Sequence, residues 1–296
     1  MNGIVNIYKE KGFTSHDVVS IVRGLTKCKA GHTGTLDPDA EGVLPVCIGR
    51  ATKIADYIMA DDKEYITDVI LGTATDTQDA SGEILERKPF IGDLSEINSV
   101  IQSFIREIQQ VPPMYSAIKV GGKKLYEYAR QGATVERKPR QVTIHAIELL
   151  EADLPMSFKI RVSCSKGTYI RTLCADIGQA LGTVAHMGGL LRTKSGNFCV
   201  DNAVKLADLR EIAARGEFGS VVMPIEVALN HFPRVAISAK ADKWLKNGNK
   251  IPLDFVEADF ALQNDAEYLG FDATGNLAGI FVLSGADHIR PKVMML

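Results

Sequence analysis

Apolar residues recur along this chain with two different spacings, and the spacing assigns most of the elements. Ile4–Tyr8 predicts a short strand. Thr14 followed three residues later by Asp17 is a capping-box pattern, and it opens a helix over roughly Ser15–Lys27 with Val18, Val19, Val22 and Leu25 on its apolar face. Val43–Ile48 is apolar enough for a buried strand, Thr52–Met59 predicts a helix, and Glu64–Gly72 alternates as a half-buried strand should. Gly72–Gly82 is dense in turn residues. Leu94–Ile108 predicts an amphipathic helix, with Ile97, Val100, Ile101, Phe104 and Ile108 along one stripe. Val142–Leu150 and Ser157–Ser165 predict paired strands, and Tyr169–Leu181 and Asn202–Arg215 predict helices. Beyond Pro233, short strand-like pieces separated by Asn-Gly, Asp-Ala and Gly-Asn turns predict a small β unit. From the residues alone the chain is mixed α/β, a large sheet carrying helices followed by a compact β tail.

A length of 296 residues allows one large domain and one small one. No stretch approaches the roughly 18 consecutive apolar residues that a membrane helix needs, and the first residues enter a strand with no basic segment before an apolar one, so neither a membrane anchor nor a secretory signal is expected. The five cysteines (Cys28, Cys47, Cys164, Cys174 and Cys199) are scattered, with no Cys-x-x-Cys pair. Cys28 and His32 stand four apart without further partners. The expectation is a reduced, cytoplasmic protein with no metal and no disulfide framework.

Net charge is −2, which by itself disfavours a nucleic-acid partner, but its distribution changes that picture. Residues 61–96 hold ten Asp/Glu against three Lys/Arg, whereas residues 119–140 hold seven Lys/Arg against two Glu and residues 158–196 hold six against one Asp. A phosphate backbone responds to a basic face rather than to the total, although such runs also serve as plain solvated surface. The segment Val111–Arg140, with Pro112-Pro113, Gly121-Gly122 and three tyrosines, is long and irregular, as functional segments often are.

The densest cluster of turn residues is Gly31-His32-Thr33-Gly34-Thr35-Leu36-Asp37-Pro38-Asp39-Ala40-Glu41-Gly42. Glycine supplies positive φ and proline fixes it, so the loop is tightly shaped. Asp37 precedes Pro38 and is biased to extended backbone, which restricts where its carboxylate points. That carboxylate is either a fixed nucleophile or acid/base group, or an ordinary turn residue. No nucleotide-binding loop, dinucleotide fingerprint or metal cluster is present in the sequence, so no cofactor is expected.

Gly31-His32-Thr33-Gly34-Thr35-Leu36-Asp37-Pro38-x-Ala40-x-Gly42-Val43-Leu44 resembles the catalytic motif of the bacterial tRNA pseudouridine-55 synthases, the TruB family. Lys9-x-Lys11-Gly12-x-Thr14-Ser15-His16-Asp17 is similar to that family's N-terminal motif, with Glu10 where the family usually has Pro. Lys63-x-Tyr65, Gly72-x-x-Thr75-Asp76-Thr77-x-Asp79-x-x-Gly82, Gln110-x-Pro112-Pro113-x-Tyr115-Ser116-Ala117-x-Lys119, Gly167-Thr168-Tyr169-Ile170-Arg171-x-Leu173 and Leu190-x-Arg192-Thr193-x-x-Gly196 follow in the family's order. The resemblance covers about residues 3–196 collinearly.

The resemblance implies an α+β pseudouridine synthase fold, a large mixed and mainly antiparallel sheet with flanking helices, and a small C-terminal PUA-like β domain. The expected division is 1–232 for catalysis, with an RNA-gripping insertion at about 111–140, and 233–296 for the PUA-like part. It implies isomerisation of uridine 55 in the T-loop of tRNA by an enzyme that everts its target base, works without a cofactor, takes the T-arm stem-loop as partner and acts as a monomer. Asp37 would be the nucleophile, attacking the uracil ring or the ribose anomeric carbon; Arg171 its guanidinium partner; and Tyr65 the active-site tyrosine. Tyr65, Tyr169 and Leu190 would line the uracil pocket, and His32 would touch RNA near the everted nucleotide. Lys119, Lys123, Lys124 and Arg130 would grip the RNA. Two rivals differ in kind: a non-catalytic RNA-binding or RNA-folding protein, and a glycosidase-like hydrolase, which normally needs a second carboxylate; Asp39 and Glu41 are nearby in sequence but match no family role.

Overall fold

The structure is a computed structural model and describes residues 1–296. The chain opens with β1 (Gly3–Lys9), α1 (Ser15–Thr26), β2 (Ala30–His32), β3 (Glu41–Ile48), α2 (Ala55–Ala60) and β4 (Lys63–Leu71). It continues through β5 (Thr73–Thr75), β6 (Ile84–Arg87), α3 (Leu94–Ser103) and β7 (Glu107–Gln110), then a small hairpin, β8 (Lys119–Val120) and β9 (Lys123–Lys124), and α4 (Leu125–Ala129). Long strands β10 (Arg140–Asp153) and β11 (Ser157–Cys164), α5 (Ile170–Ala180) and β12 (Ala185–Ser195) complete the central part. After β13 (Phe198–Cys199), β14 (Val204–Lys205), α6 (Leu206–Ala214) and α7 (Ile225–Ala228), the tail contributes six strands, from β15 (Arg234–Ile237) to β20 (His288–Met294).

Ten strands form one sheet with the path β14-β1-β3-β12-β4-β11-β10-β7, to which β2 and β13 attach. Only β1/β14 and β3/β12 pair in parallel, so the sheet is mixed and mainly antiparallel, as expected. The tail makes a separate six-stranded sheet. One core packs α3 and α5 against β4, β10, β11 and β12, and a second packs α1 and α6 against β1 and β3. A third spans both sheets, joining Ile4, Val43, Cys47 and Ile54 to Leu269, Ile280 and Met295. Arg50 Nη1 and Lys53 Nζ tie the same junction, each donating at 2.7 Å to the carbonyls of Met295 and Met294. No helix is long and apolar enough to cross a membrane.

The capping box at Thr14 forms in both directions: Thr14 Oγ1 accepts from the Asp17 amide at 3.1 Å, and Asp17 Oδ2 accepts from the Thr14 amide at 2.8 Å. Three expectations differ from the fold. The helix expected over Leu94–Ile108 stops at Ser103, because residues 107–110 leave it to pair with the edge of β10, with Val142 opposite Ile108. The helix expected from Asn202 begins at Leu206, since Val204 and Lys205 first join β1. β12 lies at the middle of the sheet between β3 and β4, yet the apolar spacing gives no strand there. Gly188-Gly189 breaks the alternation, and register shifts fall between Met187 and Leu190 and between Arg192 and Lys194.

Candidate active site

The Gly31–Gly42 loop is held from three directions, and Asp37 stands between the anchors. Ser15 is buried at the start of α1; its Oγ donates to the Leu36 carbonyl at 3.1 Å and accepts from the Leu36 amide at 2.9 Å. Lys9 ends β1 wholly buried, and its ammonium donates to the carbonyls of Ala40 at 2.6 Å, Pro38 at 3.1 Å and Glu10 at 3.2 Å. Burial pulls the Lys9 pKa down to about 8, against the opposing attraction of Asp37. The Glu10 carbonyl thus joins the same cradle. Arg192, buried on β12, donates from Nε to the Val43 carbonyl at 2.7 Å and from Nη2 to the Gly34 carbonyl at 3.2 Å. Gly42 has φ +105° and lies so close to Arg192 that a Cβ there would fall 2.2 Å from the Arg192 carbonyl oxygen. Only glycine lets the loop pass this point.

Arg171, on the first turn of α5, is 5% exposed, and each of its three nitrogens lies against an oxygen. Nε meets Asp37 Oδ2 at 3.1 Å, Nη2 donates to the Tyr115 carbonyl at 2.9 Å, Nη1 donates to the Thr77 carbonyl at 3.2 Å, and Nη1 lies 3.7 Å from Asp79 Oδ2. A rigid fork so fully bound aims the carboxylate opposite it. The Asp37 side chain reaches the cleft with 41% of its surface, while protein surrounds it elsewhere. That desolvation raises its pKa above the ordinary carboxylate value; Arg171 opposes the rise and Asp79 adds to it. The second carboxylate of the site is therefore Asp79, not Asp39 or Glu41.

Asp37 and Arg171 line a cleft of about 520 Å³ together with Tyr65, Tyr169 and Leu190. Tyr65 projects from β4 opposite Arg192 of β12, and burial raises its pKa so that the phenol stays protonated. Tyr169 caps α5, and its backbone is clamped by the buried Gln110 side chain: Nε2 donates to the Tyr169 carbonyl at 3.2 Å, and Oε1 accepts from the Tyr169 amide at 3.0 Å. Leu190 follows the glycine pair of β12, whose shape is held by Thr67 Oγ1 donating to the Gly189 carbonyl at 2.8 Å. Across the Asp37–Arg171 pair lies a second hollow of about 700 Å³, lined by Lys11, Asp79, Tyr115, Tyr126 and Arg130 among others.

The remaining sequence-derived candidates sit further out. His32 is half-buried behind the loop, its Nδ1 accepting from the Gly34 amide at 3.3 Å, and its pKa is lowered by burial, Arg192 and His16. Lys119, Lys123 and Lys124 form the β8–β9 hairpin, and Arg130 alone of the four basic residues lines a hollow beside Asp37. Lys124 and Arg130 both lie over the Tyr126 ring, at 5.4 and 5.3 Å from its centroid. Lys9, Ser15, Asp79, Gln110 and Arg192 had no assigned role in the sequence reading. They appear there only within motifs, and nothing in the one-dimensional pattern marks a polar side chain that will be buried beneath a loop.

Asp37 with its arginine faces two tyrosines and a leucine across the cleft. Residues 23–170 match the TruB family pseudouridylate synthase (N terminal domain), and residues 171–230 match the tRNA pseudouridylate synthase B C-terminal domain. The tRNA pseudouridine synthase B of Halalkalibacterium halodurans is 47% identical, over 100% of this chain and 98% of that protein. The tRNA pseudouridine synthase B of Bacillus pumilus is 46% identical, over 88% of this chain and 87% of its own length. Among solved structures, a chain of a Cbf5-Nop10-Gar1 complex superposes with TM-score 0.76 at 28% identity, covering 99% of this chain and 84% of that one. The chain belongs to the TruB family of pseudouridylate synthases, isomerases that convert uridine to pseudouridine.

Proposed function

We propose that the chain isomerises uridine 55 in the T-loop of tRNA, with the Asp37 carboxylate as nucleophile. Relatives named for tRNA pseudouridine synthesis cover nearly the whole chain and support tRNA as the substrate. The observation that carries the catalytic assignment is the Asp37–Arg171 contact of 3.1 Å at the wall of the cleft. The reaction breaks the N1–C1′ bond, turns the uracil and forms a C5–C1′ bond. C5 gives up its hydrogen, N1 gains one, and no redox partner is needed. Asp37 bonds either to the uracil ring or to C1′ and is released at the end, which divides one difficult rearrangement into smaller steps. Arg171 keeps the carboxylate ionised and aimed. Tyr65, Tyr169 and Leu190 hold the faces of the everted base, which must leave its stack to reach the cleft.

In this reading residues 1–232 are the catalytic domain and residues 233–296 a PUA-like domain that touches the tRNA arm. The insertion at 111–140 grips the RNA through Lys119, Lys123, Lys124 and Arg130, with His32 against the RNA beside the everted nucleotide. The enzyme works as a monomer in the cytoplasm. The test is to incubate the purified protein with unmodified tRNA transcript and map pseudouridine. The expected result is modification at position 55 by the parent and none by Asp37→Asn. Conversion by Asp37→Asn at the parental rate, or modification confined to another site, would overturn the proposal.

A further inference from the structure

Among the hydroxyls that line the cleft, that of Ser116 is buried without a well-formed hydrogen bond. Ser116, in the insertion, is 6% exposed, and its buried Oγ makes no hydrogen bond of good geometry, lying beside the Tyr169 hydroxyl, whose pKa it lowers against the larger rise from burial. Its backbone is fixed on both sides: the amide donates to the Met114 carbonyl at 2.9 Å, and the carbonyl accepts from the Tyr126 amide at 3.1 Å. The side chain lines the same 520 Å³ cleft as Asp37, Tyr65 and Tyr169. Buried polar groups are normally paired, so a hydroxyl this poorly paired, on a residue that lines a binding cleft, can take up a ligand atom.

Several other polar groups of that wall are occupied. The Arg171 fork is bound to Asp37, Thr77 and Tyr115. Thr168 Oγ1 donates to the Ser165 carbonyl at 2.9 Å, Gln141 Nε2 donates to Glu107 at 2.6 Å, and the Lys63 ammonium donates to the carbonyls of Met59 and Asp61. Arg140 and Lys166 line the cleft with charges suited to phosphate. Tyr65, Tyr169 and Leu190 suit the flat faces of a base.

We propose that Ser116 Oγ hydrogen-bonds the polar edge of the everted uracil, making it a base-contacting specificity residue delivered by the insertion. This inference rests on the uridine cleft assigned above. The uracil edge alternates carbonyl, N–H and carbonyl, and a hydroxyl can turn to donate or accept. Turning the ring about its N3–C6 axis exchanges the two carbonyls. A hydroxyl at this edge therefore meets an acceptor both before and after the isomerisation, which a group specific to one end of the ring would not.

The test uses Ser116→Ala and Ser116→Cys with a T-arm stem-loop RNA carrying either uridine or an abasic ribose at the target position. Both variants should lose about threefold to tenfold in single-turnover kcat/KM, the range for one neutral hydrogen bond. In an Asp37→Asn background, Ser116→Ala should weaken binding of the uridine RNA by a similar factor and leave the abasic RNA unaffected. Thermal stability should stay close to the parent's, because the alanine removes a hydroxyl that makes no well-formed hydrogen bond in the free enzyme. Unchanged kcat/KM, equal weakening of both RNAs, or a lowered Tm would each overturn the assignment. If Asp37→Asn proves inactive while Ser116→Ala is silent, only the serine role falls. If Asp37→Asn stays active, the catalytic reading itself falls.

Discussion

Replacing Arg171 by Met keeps most of its volume and removes the charge and the fork. Asp37 and Asp79 lose the cation beside them, and the carbonyls of Thr77 and Tyr115 lose a hydrogen-bond donor. Deleting one member of a buried ion pair costs about 3–5 kcal/mol. Asp37 keeps 41% of its side chain open to the cleft, so water recovers part of that loss and the lower end, about 3 kcal/mol, applies. For a chain of this size the drop in Tm is roughly 6–12 °C. The kinetic effect has its own sign. The carboxylate is the working form, and burial already places its pKa above 3.8, with Arg171 as the largest opposing influence. Activity should fall as pH drops through that raised value, and without Arg171 the value rises further, so the acid limb of kcat/KM moves to higher pH. At neutral pH the misaimed carboxylate should cost about 10²–10³-fold, comparable to the loss of one preorganised donor at a reacting oxygen. The assay is single-turnover release of tritium from C5 of the target uridine in T-arm RNA, measured across pH. Arg171→Lys, which restores charge without the fork, should return the acid limb towards the parent's position while remaining slow. An Arg171→Met acid limb at or below that of the parent would refute the view that the guanidinium tunes Asp37.

Gly42→Ala should destabilise by upward of about 2 kcal/mol, since its φ of +105° is strained for alanine and the new Cβ would meet the Arg192 carbonyl oxygen; chemical denaturation measures this, and isomerase activity should fall with it as the loop shifts. Lys123→Ala with Lys124→Ala should weaken tRNA binding rather than the saturated rate. A plot of log affinity against log salt should flatten by about 0.7 per removed charge, and an unchanged slope would place these lysines away from the phosphates.

Much of the fold was legible because local rules and tertiary packing agree. The Thr14–Asp17 capping box, the alternation of Glu64–Gly72 and the amphipathic start of α3 formed where the pattern placed them. They depend on contacts a few residues apart. Residues 107–110 and 204–205 took strand geometry because distant sheet edges, β10 and β1, offered backbone partners. β12 was hidden for a related reason: two register shifts and a glycine pair erase the alternation of a strand whose place is secured by neighbours on both sides.

The site divides along the same line. The linear motif singled out Asp37, Tyr65, Tyr169, Arg171 and Leu190, and the fold brings all five to one cleft from a loop, two strands and the start of a helix. By itself the sequence determined the residue types, the stiffness of a glycine- and proline-rich loop, and the caps and periods of its elements, because these reside in neighbouring residues. Tertiary structure alone decided that Lys9, Ser15 and Arg192 hold that loop, that Asp79 shares the arginine, and that Ser116 lines the cleft. Burial and long-range hydrogen bonding belong to pairs of residues far apart in the chain, and a polar letter reads the same whether it will lie in water or in the core.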